Sequence, residues 1–175
     1  MTAENRATKP DFGEVIQVGV VVRDLDRTMV GLTEIFGIGP FRTIVYPPED
    51  RTDIEIEYRG KPGDFRYRQA FVDLGSVELE IIQPLEGETI WSDFLEEHGE
   101  GIHHIRFNVA DLQSVLSYLA EQDVSVTQAG SGLRPGTFWA NLSTQQKLGF
   151  TIELMEPVPG SDGRTPGIAG GRVQG

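Results

Sequence analysis

Along residues 15–25 the side chains sort by twos. Ile16, Val18, Val20 and Val22 are apolar, whereas the odd positions carry Val15, Gln17, Gly19 and Val21. Strand side chains alternate between faces, so this stretch predicts a strand with one uniformly apolar face and Gln17 on the other. The period changes after Asp24-Leu25: Asp24 is placed to cap a helix by accepting from its exposed N–H groups, with Gly37 and Gly39 to close it. Strand-like segments follow at 41–46, 65–74 and 76–83, and then a linking helix over 88–98 that ends at His98.

The same order then returns. Ile102 to Leu112 lies over Val15 to Leu25 at an offset of 87, with Asp111 as the second cap and His104 on Gln17. Phe150 to Pro157 lies over Val77 to Pro84 at an offset of 73, with Glu153 on Glu80. Strands are predicted between them at 124–128 and 137–142. An insertion of 14 residues in the first copy reconciles the offsets, and the Pro-, Asp- and Arg-rich stretch 47–64 is where it falls, as a long connection suited to a lid or binding loop.

Face parity picks out the same positions as the repeat. His104, Arg106 and Asn108 oppose Ile105, Phe107 and Val109; Glu78, Glu80 and Ile82 oppose Val77, Leu79 and Ile81; Thr151, Glu153 and Met155 oppose Phe150, Ile152 and Leu154. Gln17, Glu80, His104 and Glu153 are thus four metal-competent side chains at repeat-equivalent places on the polar faces. A carboxylate in mid-strand is costly to desolvate unless a positive group compensates it, and one divalent cation would do so. His103 has the opposite parity and is expected to be structural. Two carboxylates, an amide and one imidazole make a mostly hard set that suits Zn, Co, Mn, Ni or Fe(II).

Composition narrows the classes. With 38% apolar and 9% aromatic residues in 175, the chain can build one core. Fifteen Lys and Arg against 27 Asp and Glu give a charge of −12, which argues against nucleic acid and anionic membranes as partners. No apolar run approaches the roughly 20 residues of a membrane span, Met1 to Pro10 has no secretory h-region, and there is no cysteine, so a cytoplasmic protein is expected. The glycine-rich end is expected to be a flexible tail over 159–175, matched by a shorter one at 1–11.

Gln17-Val-Gly-Val-Val-Val-Arg-Asp-Leu, Glu78-Leu-Glu80-Ile-Ile-Gln-Pro-Leu, Gly101-Ile-His103-His104-Ile and Gly149-Phe-Thr-Ile-Glu153-Leu together resemble the vicinal oxygen chelate superfamily, and within it the methylmalonyl-CoA epimerases. The resemblance covers about Val15 to Pro157. It implies an α+β domain over 12–158, in which two tandem βαβββ modules, about 12–86 and 100–158, form a curled sheet around a metal-containing cleft. It implies Gln17, Glu80, His104 and Glu153 as the ligands, with Glu153 also the catalytic base. The activity implied is epimerisation or racemisation at a carbon next to a carbonyl, on a small carbonyl compound or an acyl-CoA, and members often form homodimers.

Two departures matter. The epimerases usually carry His where this chain has Gln17 and often Gln where it has Glu80, and the set found here resembles that of glyoxalase I, which makes a glyoxalase-like lyase, or another superfamily enzyme such as an Fe(II) ring-cleaving dioxygenase, the alternative. The glutamate that serves as the epimerases' second acid/base falls near Arg68 or Gln69, so its substitute is sought among Glu55, Glu57, Tyr58 and Tyr67. A metal-free binding protein of the bleomycin-resistance kind is the third reading. Phe138 and Trp139, after Arg134, are candidates to line the cleft.

Overall fold

A computed structural model describes residues 9–165. Each apolar face demanded by the alternation is covered by the helix that follows it. β1 (Val15–Val21) leads into α1 (Leu25–Phe36), which is followed by β2 (Arg42–Tyr46), β3 (Ile56–Tyr58), β4 (Lys61–Pro62), β5 (Arg66–Leu74) and β6 (Val77–Glu86). After α2 (Ile90–Glu97) come β7 (Gly101–Asn108), α3 (Leu112–Ala120), β8 (Val126–Ser131), β9 (Phe138–Leu142), α4 (Gln145–Leu148) and β10 (Thr151–Glu156). Asp24 and Asp111 cap α1 and α3 by accepting from the N–H groups of Arg27 and Ser114, and Gly37 closes α1 in the left-handed conformation at φ 68°. Thr89 caps α2 through a capping box with Ser92.

All ten strands join one sheet in the order β2-β5-β6-β1-β7-β10-β9-β8-β3-β4. β1 pairs parallel with β6 and β7 parallel with β10, while β1 and β7 run antiparallel to each other at the seam between the modules. The two modules bury matching cores. Val22, Leu25, Ala70 and Ile81 pack with Met29 and Leu32 of α1, and Val109, Leu112, Leu142 and Leu154 pack with Val115 and Leu119 of α3. The curled inner side holds a third cluster in which Tyr46, Phe65, Tyr67, Trp91 and Trp139 are buried together.

Two expectations are corrected. The insertion over 47–64 is not a free loop: it crosses to the other module, where β3 pairs with the exposed edge of β8 and β4 turns back on β3. An open strand edge offers unpaired N–H and C=O groups, and this hairpin takes them up; Ser131 donates to the Glu55 carbonyl at 2.8 Å. The Tyr46 hydroxyl, at the opposite end of the sheet, donates to the Ser131 carbonyl at 2.6 Å and draws the two ends together. The expected tail from 159 likewise begins as packed chain, since residues 161–165 hydrogen-bond to strand side chains; 166–175, like 1–8 of the N-terminal tail, lie outside the described residues. Among the described residues no helix is long and apolar enough to cross a membrane.

Leu154 is fully buried at the centre of the second core. Leu154→Ala should therefore lower unfolding free energy by roughly 2–5 kcal/mol, read as a shift in the denaturant midpoint at unchanged slope.

Candidate functional site

Strand register lays the inner face out as two adjacent rows. Glu78, Gln17, Arg106, Glu153, Asn141 and Gln128 are successive partners across β6, β1, β7, β10, β9 and β8. Phe71, Glu80, Gly19, His104 and Thr151 form the second row across β5, β6, β1, β7 and β10. Gln17 and His104 are related by the internal repeat, as are Glu80 and Glu153, so the four expected ligands straddle the β1–β7 seam.

The structure brings three of them into direct contact. His104 Nε2 lies 3.2 Å from Glu80 Oε2 and 3.7 Å from Glu153 Oε2. All are buried, with His104 fully enclosed and the carboxylate residues 7% and 6% exposed. The imidazole fits only because Gly19 lies beneath it: a Cβ there would overlap the His104 ring. Gln17, fully buried on the same face, gives its Nε2 to Glu78 Oε1 at 2.7 Å. Its Oε1 and the Nε2 of His104 are buried atoms without a hydrogen-bond partner among the described residues.

The electrostatics follow from this crowding. Burial raises the Glu80 pKa, and the close approach and charge of His104 offset that only in part. Burial also opposes charge on His104, but Glu153 and Glu80 outweigh it and raise its pKa. His103, expected from parity on the helix side, sits where the β1–β7 register shifts, with its Nδ1 3.1 Å from that of His104 and its ring edge-on to Phe94 of α2, which packs against the inner cluster. Burial followed by the neighbouring His104 and His98 charges holds its pKa well below the usual histidine range. Two buried carboxylates beside one imidazole leave an excess of negative charge, and a buried amide oxygen stands unpaired on the same face. Taking even one ion out of water costs several kcal/mol, so a donor set of this kind fits a divalent cation. Among the described residues no three His, Asp or Glu side chains form a finished chelating group; the carboxylates are turned onto the imidazole instead.

A cleft opens beside this cluster, lined by Glu80, Glu153 and Arg106 on the polar side and by Tyr67, Phe71 and Trp139 on the apolar side. Arg134, Arg164 and Thr165 stand at its rim. Of the candidates for the second acid/base, Tyr67 and the strand neighbour Gln69 line the cleft. Tyr58 is bonded to Asp93, Arg68 is paired with Asp26, and Glu55 and Glu57 line a separate groove beside the β3–β4 hairpin. Trp139 lines the cleft, whereas Phe138 is half exposed in that same groove.

Sequence reasoning missed three parts of this site. Glu78, fully buried, accepts from Gln17, from Arg42 Nη2 at 2.7 Å and from the Thr165 hydroxyl at 2.8 Å. Arg106 does not pair with Glu80 or Glu153 but donates to the Gly163 carbonyl at 2.9 Å, so the C-terminal segment crosses the cleft mouth. Asn141 Nδ2 holds Glu153 Oε2 at 3.0 Å. The polar-face parity of Glu78 and Arg106 was a signal for both; nothing in the glycine-rich end announced its docking.

Comparison with known proteins gives the following. The family model described as glyoxalase/bleomycin resistance protein/dioxygenase superfamily matches residues 16–140. An uncharacterized protein of Bacillus subtilis (strain 168), YqjC, is 36% identical over 93 residues, which are 50% of this chain and 64% of that protein. Among solved structures, a hypothetical protein from Bacillus halodurans C-125 superposes with a TM-score of 0.60 at 20% identity, over 85% of this chain and 97% of that one. A Streptomyces coelicolor methylmalonyl-CoA epimerase variant in complex with 2-nitronate-propionyl-CoA gives 0.58 at 21% identity, over 83% and 98%. The Mycobacterium tuberculosis methylmalonyl-CoA epimerase gives 0.55 at 24%, over 91% and 94%. At such identities these structures share the fold.

Gly19→Ala should displace the His104 ring and destabilise the protein by about 1–3 kcal/mol, seen as a lowered melting temperature. The same conservative change at the half-buried Gly31 of α1, where a Cβ meets nothing, should not lower it.

Proposed function

Because the chain belongs to the glyoxalase/bleomycin resistance protein/dioxygenase superfamily, we propose that it is a metal-dependent epimerase or racemase that inverts a carbon next to a carbonyl. The observation that carries this reading is the approach of Glu80 and Glu153 to His104 Nε2 at the floor of an aromatic-walled cleft. One protein of similar fold binds 2-nitronate-propionyl-CoA, and a nitronate has the planar delocalised anion of an enolate. A small carbonyl compound or an acyl-CoA is the substrate class that follows.

Gln17, Glu80, His104 and Glu153 would hold the ion, of the Zn, Co, Mn, Ni or Fe(II) group. Bound there, it supplies the positive charge that stabilises charge developing on the substrate carbonyl oxygen. The rest is the work of side chains. Asn141 fixes one oxygen of Glu153, and the carboxylate takes the proton from the α-carbon as general base. The C–H bond pair passes into the carbonyl to give an enolate. Tyr46, Tyr67, Trp91 and Trp139 keep bulk water from this carbon.

Inversion needs a proton from the other side. Tyr67 stands on β5, four strands from the β10 of Glu153 in the sheet order. Burial first, and then the charges of Tyr46, Glu80 and Glu153, raise its pKa well above the ordinary value. It therefore stays protonated and is suited to deliver its proton to the opposite face of the enolate. The tyrosinate then regains a proton, and Glu153 loses one, by exchange with solvent, which restores both groups.

The test is solvent-deuterium incorporation into methylmalonyl-CoA and a panel of α-chiral ketones by protein loaded with Co(II) or Zn(II). Wild type should place one deuterium on the α-carbon and invert it. Glu153→Gln should slow exchange by roughly 10²–10⁴-fold. Tyr67→Phe should still exchange the proton while losing inversion. Absence of exchange into every substrate by fully loaded wild type would remove the epimerase reading.

A further inference from the structure

Two of the four proposed ligands, Gln17 and His104, each carry two polar atoms, and a ligand is useful only if the correct atom is offered. Their neighbours decide which. Gln17 Nε2 donates to Glu78 Oε1 at 2.7 Å. Among the described residues the other groups on Glu78 are donors or cations as well: Arg42 Nη2 at 2.7 Å, the Thr165 hydroxyl at 2.8 Å, the Thr165 N–H at 3.3 Å and, further off, Arg106 Nη2 at 3.8 Å. Glu78 can therefore only accept, so the Gln17 amide cannot turn over without setting its oxygen against a carboxylate. Its Oε1 is the atom left buried and unpaired.

His104 shows the same logic with a different partner. Its Nδ1 lies 3.1 Å from the Nδ1 of His103, a distance at which one proton lies between two ring nitrogens. If that proton belongs to His104, its Nε2 keeps a lone pair facing Glu80 and Glu153, and His103 carries its own proton on Nε2. His103 cannot readily swing away, because it is 3% exposed and packs edge-to-face on Phe94 of α2, with ring centroids 5.1 Å apart at 86°.

We infer that Glu78 and His103 are positioning residues that fix, at repeat-related places, which atom Gln17 and His104 present, and that these atoms are Gln17 Oε1 and His104 Nε2. The inference rests on the metal reading of the site. It assigns the double histidine two roles, a ligand and the group that orients it, and it gives the buried Glu78 a purpose apart from its ion pair with Arg42.

Co(II) affinity, measured by competition with a chelator on full-length wild type, His103→Phe and Glu78→Gln, tests it. Both variants should bind one Co(II) some 10–100-fold more weakly than wild type, the range expected when the partner orienting a ligand is removed. Metal-free thermal midpoints report folding separately, and if Glu78→Gln fails to fold, His103→Phe decides. In metal-free wild type, nitrogen-15 NMR should show a scalar coupling between the two Nδ1 atoms, with the proton on His104. Unchanged affinity in folded His103→Phe, or a proton on His103 Nδ1 in the metal-loaded protein, would overturn the inference while leaving the metal reading intact. Wild type that binds no Co(II) would instead overturn the metal reading, and this inference with it.

Discussion

The antiparallel contact of β1 with β7 is the constraint on which the rest of the structure depends. It joins the two modules, and it sets Gly19 opposite His104, so that an imidazole can lie flat over a strand with no side chain in its way. Once that register is fixed, the parallel pairings of β1 with β6 and β7 with β10 leave no choice about which residues share the inner face. A slip of one residue at the seam would turn Gln17 and His104 into the helix-packed cores and expose Val18 and Ile105 to the cleft. The apolar side of each strand, packed beneath α1 or α3, is what makes such a slip costly.

Charge is the second organising fact. In one row the buried Glu78 is satisfied completely by Arg42, Gln17 and Thr165. In the other, the close partner of Glu80 among the described residues is the imidazole it shares with Glu153. The protein thus compensates one buried carboxylate with a full set of its own donors and gives two others, on the face that also carries the unpaired Gln17 amide oxygen, fewer partners. That asymmetry within one sheet is the physical basis for proposing a cation at the second group. The docked segment 161–165 belongs to the same arrangement, since Thr165 completes the shell of Glu78 while Gly163 takes up Arg106.

Much of this could be read from the chain because it rests on periods of two and on an internal repeat. Parity and repeat offset selected Gln17, Glu80, His104 and Glu153 independently, and the structure sets all four on the inner face, with three in contact. Asp24, Asp111 and Gly37 act as the caps their residue types suggest. What escaped was long-range and non-repeating. The 47–64 insertion has no counterpart in the second module, so nothing local says that its hairpin extends the far edge of the sheet. The docking of Gly163 and Thr165 depends on two side chains and on backbone groups that any sequence carries. Glu78 shared the parity of Glu80 but lacked a metal-competent partner at the repeat-related Thr151, which hid its part in the site.

The most direct measurement of the central claim is anomalous diffraction from crystals of the full chain grown with Co(II). The account predicts one strong peak at the β1–β7 seam, in contact with Gln17 Oε1, Glu80, His104 Nε2 and Glu153. A peak bound elsewhere on the chain, or an empty seam with Gln17 Oε1 turned away from His104, would contradict it.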